Sequence, residues 1–497
     1  MIVLSKSKTY VEEYALSIVK IESLEPIEGS DFLAKTLVNG FPIVVRKDEV
    51  SVGDIWFYAP NESQLNLKFL SKNNLFEDYD LNNNSKEYLE VLESKGKDEA
   101  RKLCGYFPRT GRIRLIRLRK CPSMGFLFSL DSMIKWKGGF KDFNMEEHIG
   151  ESFDTIDDEL FIKAYVPYAP ENKRVSKDTK RNKKIARFNR MIPGQFAFHY
   201  DTKNINQHMD EIKPTDNVTI SVKCHGTSAI FANILVKKPL QLSPGQRMVR
   251  KAIRKELYNK KKKISPYRKA FLEAHNKLDY SIGYGNVYSS RTVIKNQYIN
   301  RKVSKGFYDV DVWGIWNDRI KKYIPEGMLI YGEIVGYQDG SNKTIQKGWD
   351  YGCQPGISKL MIYRIVMHRD GKKIELDVPD VLKWTEKLID RAPELKEIIM
   401  PIPILFVGTF DELYPNLDHA NHWNEDLLNI MSNDSERFGM ELEEPLCSTP
   451  APREGIVVRF NGEPLRGAFK LKCIKFLEKE GKNVTNGVLD AEMQEAY

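Results

Sequence analysis

The sequence of 497 residues is long enough for two domains, and its composition excludes several classes of protein. Hydrophobic residues make up 41% of it, which excludes a disordered chain, and the formal net charge of +9 favours an acidic partner such as nucleic acid. The six cysteines are scattered without a Cys-x-x-Cys pair, so neither a zinc site nor a disulfide framework is indicated. No apolar signal segment and no run of about 20 apolar residues is present, and we therefore expect a soluble, cytoplasmic protein.

Residues 1–165 have the pattern of a small all-β module. Short apolar runs at 15–21, 33–38 and 41–46 are separated by turn signals, and Asn-Gly at 39–40 is a strong hairpin signal. Short strands with frequent turns are typical of a barrel or sandwich. We predict an oligonucleotide-binding (OB) barrel in this part of the chain.

An insertion and an arginine-rich run interrupt this pattern. Residues 61–103 are polar and predict an insertion that carries one helix. In 111–119, apolar residues alternate with arginines, which predicts a strand with an apolar face and a row of guanidinium groups. Such a row suits phosphates, and a solvated strand face explains it equally well. The arginines concerned are Arg112, Arg114, Arg117 and Arg119.

A basic segment and a second domain complete the chain. Residues 166–200 are dense in lysine and arginine, which predicts a linker. From 201 to 497 the pattern predicts an α+β domain built on antiparallel sheets, with a Lys/Arg-rich insertion near 240–280 that is either a solvated face or a phosphate-binding surface. The predicted strands are 308–316, 328–335, 360–367, 455–460 and 467–473, and the predicted helices are 381–389 and 424–431.

A lysine followed three residues later by a glycine stands between two predicted strands of this domain. Lys223 follows the β-branched run 218–222, and 229–236 predicts the next strand. Gly226 allows the backbone to turn and to approach a ligand closely. Alone, a Lys-x-x-Gly is also explained by a solvated turn.

Five further elements follow this lysine along the chain. Singly, each has a structural explanation as a paired carboxylate, a core ring or a solvated strand face. Their order is more informative than any one of them. The elements are Arg291 in Ser-Ser-Arg-Thr, Glu333 in Tyr-Gly-Glu, Tyr363 in Tyr-Arg-Ile-Val, Glu454 in Arg-Glu-Gly-Ile-Val, and the pair Lys470 and Lys472 on one face of a strand.

In this order the elements resemble motifs I, Ia, III, IIIa, IV and V of the covalent nucleotidyltransferases, and of ATP-dependent polynucleotide ligases in particular. His225 stands where DNA ligases and capping enzymes generally have Asp, which makes the domain similar to the RNA ligase 2-like group. Two features depart from the family pattern: Ser228, where some relatives have Asn, and the long insertion between motifs I and Ia.

The N-terminal module also resembles a module of known ligases. The segments that carry this resemblance are Pro26-Ile27 with Asp31, Val52-Gly53-Asp54, and Gly111-Arg112. They are similar to an OB module that precedes the catalytic domain in RNA ligases of the RNA ligase 5 type. Only about 25 residues follow the Lys-x-Lys pair, so an OB module placed first fits this chain.

The resemblance implies a role for each motif residue. Lys223 would attack the α-phosphorus of ATP and form a lysyl-AMP phosphoramidate. Tyr363 would stack on adenine, and Arg291 would hold the ribose or the 5′-phosphate to be activated. The remaining implied roles are nucleotide contacts by Gly226 and Thr227, a phosphate or leaving-group contact by His225, metal and ribose contacts by Glu333 and Glu454, and neutralisation of phosphate charge by Lys470 and Lys472.

The function implied is an ATP-dependent RNA ligase that joins 3′-OH and 5′-phosphate ends. Its cofactors would be ATP and Mg²⁺ or Mn²⁺, and its partner RNA; we expect a monomer that does not act on a membrane. Three alternatives stay open. They are a DNA ligase, which His225 disfavours, a GTP-dependent capping guanylyltransferase, and, from another class, a catalytically silent nucleic-acid-binding protein.

Overall fold

The structure is a computed structural model, and the residues it describes fall into an N-terminal module and a larger second domain. Most of the predicted linker, 168–187, and the cationic run 258–263 lie outside the described residues. Within the described part, no helix combines the length and apolar composition that a membrane crossing requires. The described ranges are 2–167, 188–200, 202–257, 264–275, 280–299, 307–369, 371–418 and 422–486.

The N-terminal module consists of short strands and short helices. Its strands are β1 Leu4–Ser5, β2 Leu16–Lys20, β3 Glu25–Pro26, β4 Leu33–Val38, β5 Phe41–Arg46, β6 Ile55–Pro60, β7 Ser63–Leu65, β8 Ile116–Leu118, β9 Cys121–Ser123, β10 Gly125–Phe128, β11 Ser152–Phe153, β12 Thr155–Ile156, β13 Glu159–Leu160 and β14 Ile162–Ala164. Its helices are α1 Leu67–Lys72, α2 Ser85–Lys95, α3 Lys97–Arg101 and α4 Leu130–Trp136. The strands pair in the orders β10-β6-β2-β11, β3-β4-β5, β1-β12-β13, β14-β7 and β8-β9.

The hairpin predicted at 39–40 is confirmed. Strands β4 and β5 pair antiparallel with Val38 opposite Phe41, and both Asn39 and Gly40 have positive φ, as a two-residue hairpin turn requires. The strands of the module form several small sheets, and the polar insertion 61–103 carries the three helices α1, α2 and α3 instead of the single helix predicted. The OB assignment of 1–165 stays a prediction.

The prediction of an exposed row of arginines in 111–119 is wrong for Arg112 and Arg114, whereas Arg117 and Arg119 are exposed. Only β8, at Ile116–Leu118, is extended within this run. Arg112 is buried and donates hydrogen bonds to the carboxylate of Glu62. Arg114 donates to the carbonyl of Tyr106, and Arg117 forms an ion pair with Glu478 in the second domain. These guanidinium groups are held by internal partners, which a strand-period pattern does not reveal.

The second domain contains longer strands. They are β15 Phe188–Asn189, β16 Lys203–Asn204, β17 Asn217–Lys223, β18 Thr227–Pro239, β19 Tyr280–Ser289, β20 Tyr298–Ile299, β21 Met328–Gly336, β22 Ser358–Arg369, β23 Lys372–Glu375, β24 Ile399–Pro401, β25 Ile404–Thr409, β26 Gly455–Phe460 and β27 Ala468–Lys472. Its helices are α5 Pro244–Leu257, α6 Pro266–His275, α7 Val312–Ile320, α8 Val378–Arg391, α9 Phe410–Leu413, α10 Trp423–Asn433, α11 Ser435–Phe438 and α12 Ile474–Thr485.

Two sheets form the framework of this domain. One has the order β16-β27-β26-β17-β25 and the other the order β19-β18-β21-β22-β23, with β24 beside β22. Most neighbouring strands are antiparallel, which confirms the predicted α+β class. The chain passes from the first sheet to the second between β17 and β18, within residues 224–226. The predicted Lys-x-x-Gly tip therefore lies at the junction of the sheets.

The two faces of the second sheet are covered differently. Alternate residues of β18 point to opposite faces. Ala229 and Phe231 pack with α7 and α8 on one face, whereas Ile230 and Ala232 pack on the other face with residues of the segment 191–197. This segment belongs to the predicted linker 166–200, so its described part, 188–200, is packed against the domain.

The strand predicted at 308–316 is wrong, because α7 begins at Val312. Asp311 caps this helix by accepting a hydrogen bond from the Gly314 backbone N–H at 3.0 Å. Val312, Trp316 and Ile320 are buried at helical spacing. The alternation of apolar and acidic residues before α7 imitates a strand over a window too short to distinguish the two periods.

The two modules meet along α12. Ile474 and Leu477 pack against the apolar core of the N-terminal module, and Glu478 pairs with Arg117. Asn206 donates a hydrogen bond to the carbonyl of Gly40 at 3.2 Å. The N-terminal module is therefore docked beside the first sheet.

Trp316 offers a direct test of the core between the second sheet and α7. Its ring is fully buried and its Nε1 donates to Ser358 Oγ at 2.8 Å. The Trp316→Ala substitution is expected to lower the free energy of unfolding by about 3–5 kcal/mol. Circular dichroism during urea unfolding would measure the loss. Leu465→Ala, at a fully exposed side chain, is the control and is expected to change stability by less than about 0.5 kcal/mol. Equal losses in the two variants would contradict this description of the core.

Candidate active site

A cavity of about 1030 Å³ lies where the two sheets and the N-terminal module meet. This volume is at the upper end of the range typical of small-molecule sites. The residues assigned from sequence that line it are Lys223, His225, Gly226, Arg291, Glu333, Tyr363, Glu454, Lys470 and Lys472. Thr227 is the exception: it is buried at the start of β18 and does not line the cavity. The structure thus gathers residues that are up to 249 positions apart in the sequence.

The pair formed by Lys223 and Glu454 lies at the junction of the sheets. Lys223 ends β17 and is paired with Gly455 at the start of β26, so Glu454 stands beside it. Lys223 Nζ lies 2.7 Å from Glu454 Oε1, and Glu454 is 4% exposed. Burial by itself would raise the pKa of Glu454, but the charges of Lys223 and Lys472 outweigh it and hold that pKa below its ordinary value.

Two glycines permit the close approach of strands around this pair. Gly455 has a φ of +147°, and a Cβ there would lie 2.0 Å from the carbonyl oxygen of Leu471. A Cβ on Gly226 would lie 2.4 Å from the carbonyl oxygen of Ile334. Any side chain at either position would force the strands apart.

Glu333 binds the backbone of the tip. The Gly226 N–H donates to Glu333 Oε1 at 3.1 Å, and the Gly226 carbonyl accepts from Gln346 Nε2 at 2.6 Å. Glu333 lies on β21, directly opposite Ser228 on β18. The neighbouring thiol is not a competing nucleophile, because burial raises the pKa of Cys224 well above its ordinary value.

The two lysines of β27 lie on the same face of that strand and are held by carboxylates from different parts of the chain. Lys472 Nζ is 3.4 Å from Glu480 and 3.7 Å from Glu454. Burial works against its ammonium group, but these two carboxylates outweigh it and raise the pKa of Lys472. Lys470 Nζ is 2.9 Å from Glu13 of the N-terminal module. Burial lowers the pKa of Lys470, and Glu13 opposes that shift.

His225 is enclosed by aromatic rings. Its imidazole lies 4.6 Å from the Trp349 ring and 4.9 Å from the Phe476 ring, edge to face. Its Nδ1 is 3.8 Å from Glu454 Oε2, and its backbone N–H donates to the hydroxyl of Tyr351 at 2.6 Å. Burial lowers the pKa of His225, so the ring is neutral at pH 7.

Tyr363 also lines the cavity. Its ring lies 5.6 Å from that of His199 and 5.4 Å from the guanidinium of Arg459, which also donates a hydrogen bond to the Tyr363 carbonyl. Burial lowers the pKa of Arg459. Arg291 lines the cavity from the turn that follows β19.

Four residues of this site were not predicted from the sequence. Glu13 stands in another module and carries no local signal. Glu480 lies on α12 four residues after Phe476, so a helical-face analysis could have identified it. Arg459 and His199 lie in apolar runs without a motif.

Glu333 and Glu454 are candidates for holding a metal ion. Glu454 Oε2 is buried and has no hydrogen-bond partner, and coordination to a cation would compensate for the missing hydrogen bond. Among the described residues no group of three or more His, Cys, Asp or Glu side chains could hold an ion by itself. Two carboxylates fit Mg²⁺ or Mn²⁺ when phosphate oxygens complete the coordination.

Comparison with known proteins identifies the fold. No protein-family model matches this sequence, and no curated protein matches it. Several solved structures match the fold of this chain. A mutant of the Naegleria gruberi RNA ligase in its apo form is 15% identical, with a TM-score of 0.51 over 95% of this chain and 99% of that chain. Another mutant of that ligase, with ATP and Mn, is 15% identical, with a TM-score of 0.50 over 93% of this chain and 98% of that chain. The chain has the fold of an RNA ligase, as the order of its motifs predicts.

His225 predicts a pH dependence of stability. Because burial lowers the pKa of His225 in the folded protein, the unfolded chain takes up a proton there at higher pH than the folded protein does. The free energy of unfolding should therefore fall as the pH drops below about 6.5, the ordinary value for histidine. Urea unfolding at several pH values between about 7.5 and about 5 would measure this fall in the free energy of unfolding. The His225→Asn variant should lose this part of the dependence, and an unchanged slope in the variant would contradict the assignment.

Proposed function

We propose that this protein is an ATP-dependent RNA ligase that joins 3′-OH and 5′-phosphate ends through a lysyl-AMP intermediate on Lys223. The observation that carries the proposal is the contact of 2.7 Å between Lys223 Nζ and Glu454, inside a cavity that also receives Lys470 and Lys472. The shared fold with an RNA ligase whose structure contains ATP and Mn supports the choice of nucleotide and metal.

Lys223 is the nucleophile in this proposal. Its Nζ attacks the α-phosphorus of ATP, a nitrogen–phosphorus bond forms, and the bond to the pyrophosphate oxygen breaks. Attack needs a neutral amine, so the ammonium group of Lys223, which is partly exposed, must first release a proton to solvent. Glu454 also fixes the position of Nζ, because its own carboxylate is buried and held by the lysines around it.

Glu333 and Glu454 would hold Mg²⁺ or Mn²⁺ together with phosphate oxygens, and the bound cation would supply positive charge that favours the neutral lysine and stabilises charge on the phosphate. The buried Glu454 Oε2 without a hydrogen-bond partner supports this assignment.

Lys470 and Lys472 neutralise negative charge on the α-phosphate and on the departing pyrophosphate. Lys472 is paired with Gly455 across β26 and β27, and Gly455 is paired with Lys223, so the three positions form one row across the sheet. Fixed cations beside the reacting phosphorus are the main contribution a protein makes to phosphoryl transfer.

Two further lining residues would hold the nucleoside and the RNA. Tyr363 would stack on adenine, and Arg291 would hold the ribose or the 5′-phosphate. Gly226 would bring the backbone close to the ligand, whereas Thr227 is buried and does not line the cavity, so we propose no nucleotide contact for it. AMP then passes to the 5′-phosphate, and the 3′-hydroxyl displaces it to seal the strand. The module at 1–165, which we propose to be an OB module joined by the segment 166–200 to the catalytic domain at 201–497, would bind the RNA backbone.

By the resemblance, His225 favours RNA ligation over the alternatives on the same scaffold, because DNA ligases and capping enzymes generally have Asp at this position. Its ring packs between Trp349 and Phe476, and its Nδ1 lies 3.8 Å from Glu454 Oε2. A silent binding protein has no need of three half-buried lysines around a buried carboxylate, because removing charges from water is costly.

Strand sealing by the purified protein tests the proposal. A nicked RNA duplex with a labelled 5′-phosphate, ATP and Mg²⁺ or Mn²⁺ should give a joined product, and Lys223→Ala should reduce the rate by at least about 10³-fold because the covalent step is lost. Lys213→Ala, an exposed lysine before β17, is the matched control and should retain full activity.

The outcomes separate the alternatives. Sealing of a DNA nick in preference to the RNA nick would indicate a DNA ligase, and covalent labelling from GTP in preference to ATP would indicate a capping-type enzyme. Absence of joined product and of labelling with either nucleotide would contradict the proposal.

A further inference from the structure

The insertion between β18 and β19 forms the two helices α5 and α6, in which Leu272 of α6 is buried. No described residue of α5 is buried. The helices are tied to each other by Arg268, whose guanidinium donates two hydrogen bonds to the carboxylate of Glu256 at 2.9 Å. We call α5 and α6 together the helical arm.

The helical arm carries an excess of positive charge on α5. Its two carboxylates are engaged by α6, since Glu256 pairs with Arg268 and Glu273 with Lys269. Lys251 and Lys255 are exposed, and neither forms an ion pair within the described residues. The cations of α5 are Arg247, Arg250, Lys251, Arg254 and Lys255.

Two further cations lie between the helical arm and the cavity. Lys238 lies on the same face of the sheet as Ser228 and Glu333, because it is an even number of residues from Ser228 along β18. Arg190 lies over Gly285, which is on that face as well. Arg190 is half-buried and pairs with no carboxylate among the described residues. Burial accordingly lowers the pKa of Arg190.

The spacing of these groups fits a long polyanion. Lys238 follows Ser228 by ten residues of β18, which is roughly 33 Å at ~3.3 Å per residue. An A-form RNA helix covers that distance in about twelve base pairs at a rise of ~2.8 Å each. One duplex could therefore contact the cavity and the helical arm at the same time.

We propose that the helical arm, with Lys238 and Arg190, binds the phosphodiester backbone of the RNA about twelve base pairs from the joint. This rests on the proposed ligase function. The exposed apolar side chains of the arm, Met248, Val249 and Tyr267, are compatible with a membrane surface as well. The RNA backbone is favoured because the cations continue along the active-site face of the sheet toward the cavity, and because the Tyr267 ring, 91% exposed, can stack on a base.

A charge-reversal variant tests the proposal. Lys251→Glu with Lys255→Glu changes two exposed residues one helical turn apart. The matched control is Lys383→Glu with Lys387→Glu, which has the same spacing on α8 and lies on the opposite face of the sheet from the cavity. RNA binding would be measured by fluorescence anisotropy over a series of salt concentrations. Two nicked duplexes would be compared: one has flanks of about 20 base pairs, which reach the helical arm, and the other has flanks of about six base pairs, which do not.

The expected result is specific to the long duplex. The arm variant should bind it about tenfold more weakly than wild type, with the slope of log K against log salt reduced by about two, while its affinity for the short duplex is unchanged. The α8 variant should bind both duplexes like wild type. Lysine adenylylation without RNA should be unaffected in both variants.

Three results would overturn the proposal: equal weakening in the arm and α8 variants, equal weakening for long and short duplexes, or binding of wild type to phosphatidylserine vesicles that the arm variant loses while RNA affinity stays unchanged. If wild type were not adenylylated but the arm variant still lost long-duplex affinity, the RNA surface would be supported and the ligase function would fail instead.

Discussion

The ion pair between Lys223 and Glu454 is the interaction on which the rest of the site depends. It forms because β17 and β26 pair in a register that sets Lys223 opposite Gly455, and because the absence of a Cβ at Gly455 lets β26 approach β27. The same register places Lys472 in the adjoining row. A single slip of β26 by one residue would turn Val457 and Val458 to the wrong faces and separate the lysines from the carboxylate, so the apolar core and the site impose the same alignment.

The charges of the site are balanced by residues from three parts of the chain. Glu454 comes from the strand entrance, Glu480 from α12 and Glu13 from the N-terminal module. The fold can hold Lys223, Lys470 and Lys472 close together because each of them has a carboxylate within ion-pair distance. The N-terminal module therefore forms one wall of the cavity, and α12 both supplies Glu480 and attaches that module through Ile474 and Leu477.

The order of the motifs in the sequence predicted that these residues converge on one cavity, whereas several local elements of the fold were predicted wrongly. The motif residues that line the cavity lie on or next to strands whose β-branched patterns are strong, and their order along the chain restricts what they can form. The errors concern residues whose surroundings are non-local. Arg112 has a strand-like pattern but is bonded to Glu62, and Trp313 and Trp316 belong to a helix whose cap, Asp311, disturbs the apolar periodicity before it. Glu13 could not be found because its partner, Lys470, is 457 residues away.

The central claim is that Lys223 becomes covalently attached to AMP, and locating the attached group on the chain tests it most directly. The protein would be incubated with ATP and a divalent cation, denatured, digested and examined by peptide mass spectrometry. The account predicts one AMP on the peptide that contains Lys223, linked through an acid-labile phosphoramidate. AMP on a different residue, or an unmodified Lys223 peptide from protein shown to be free of AMP beforehand, would contradict it.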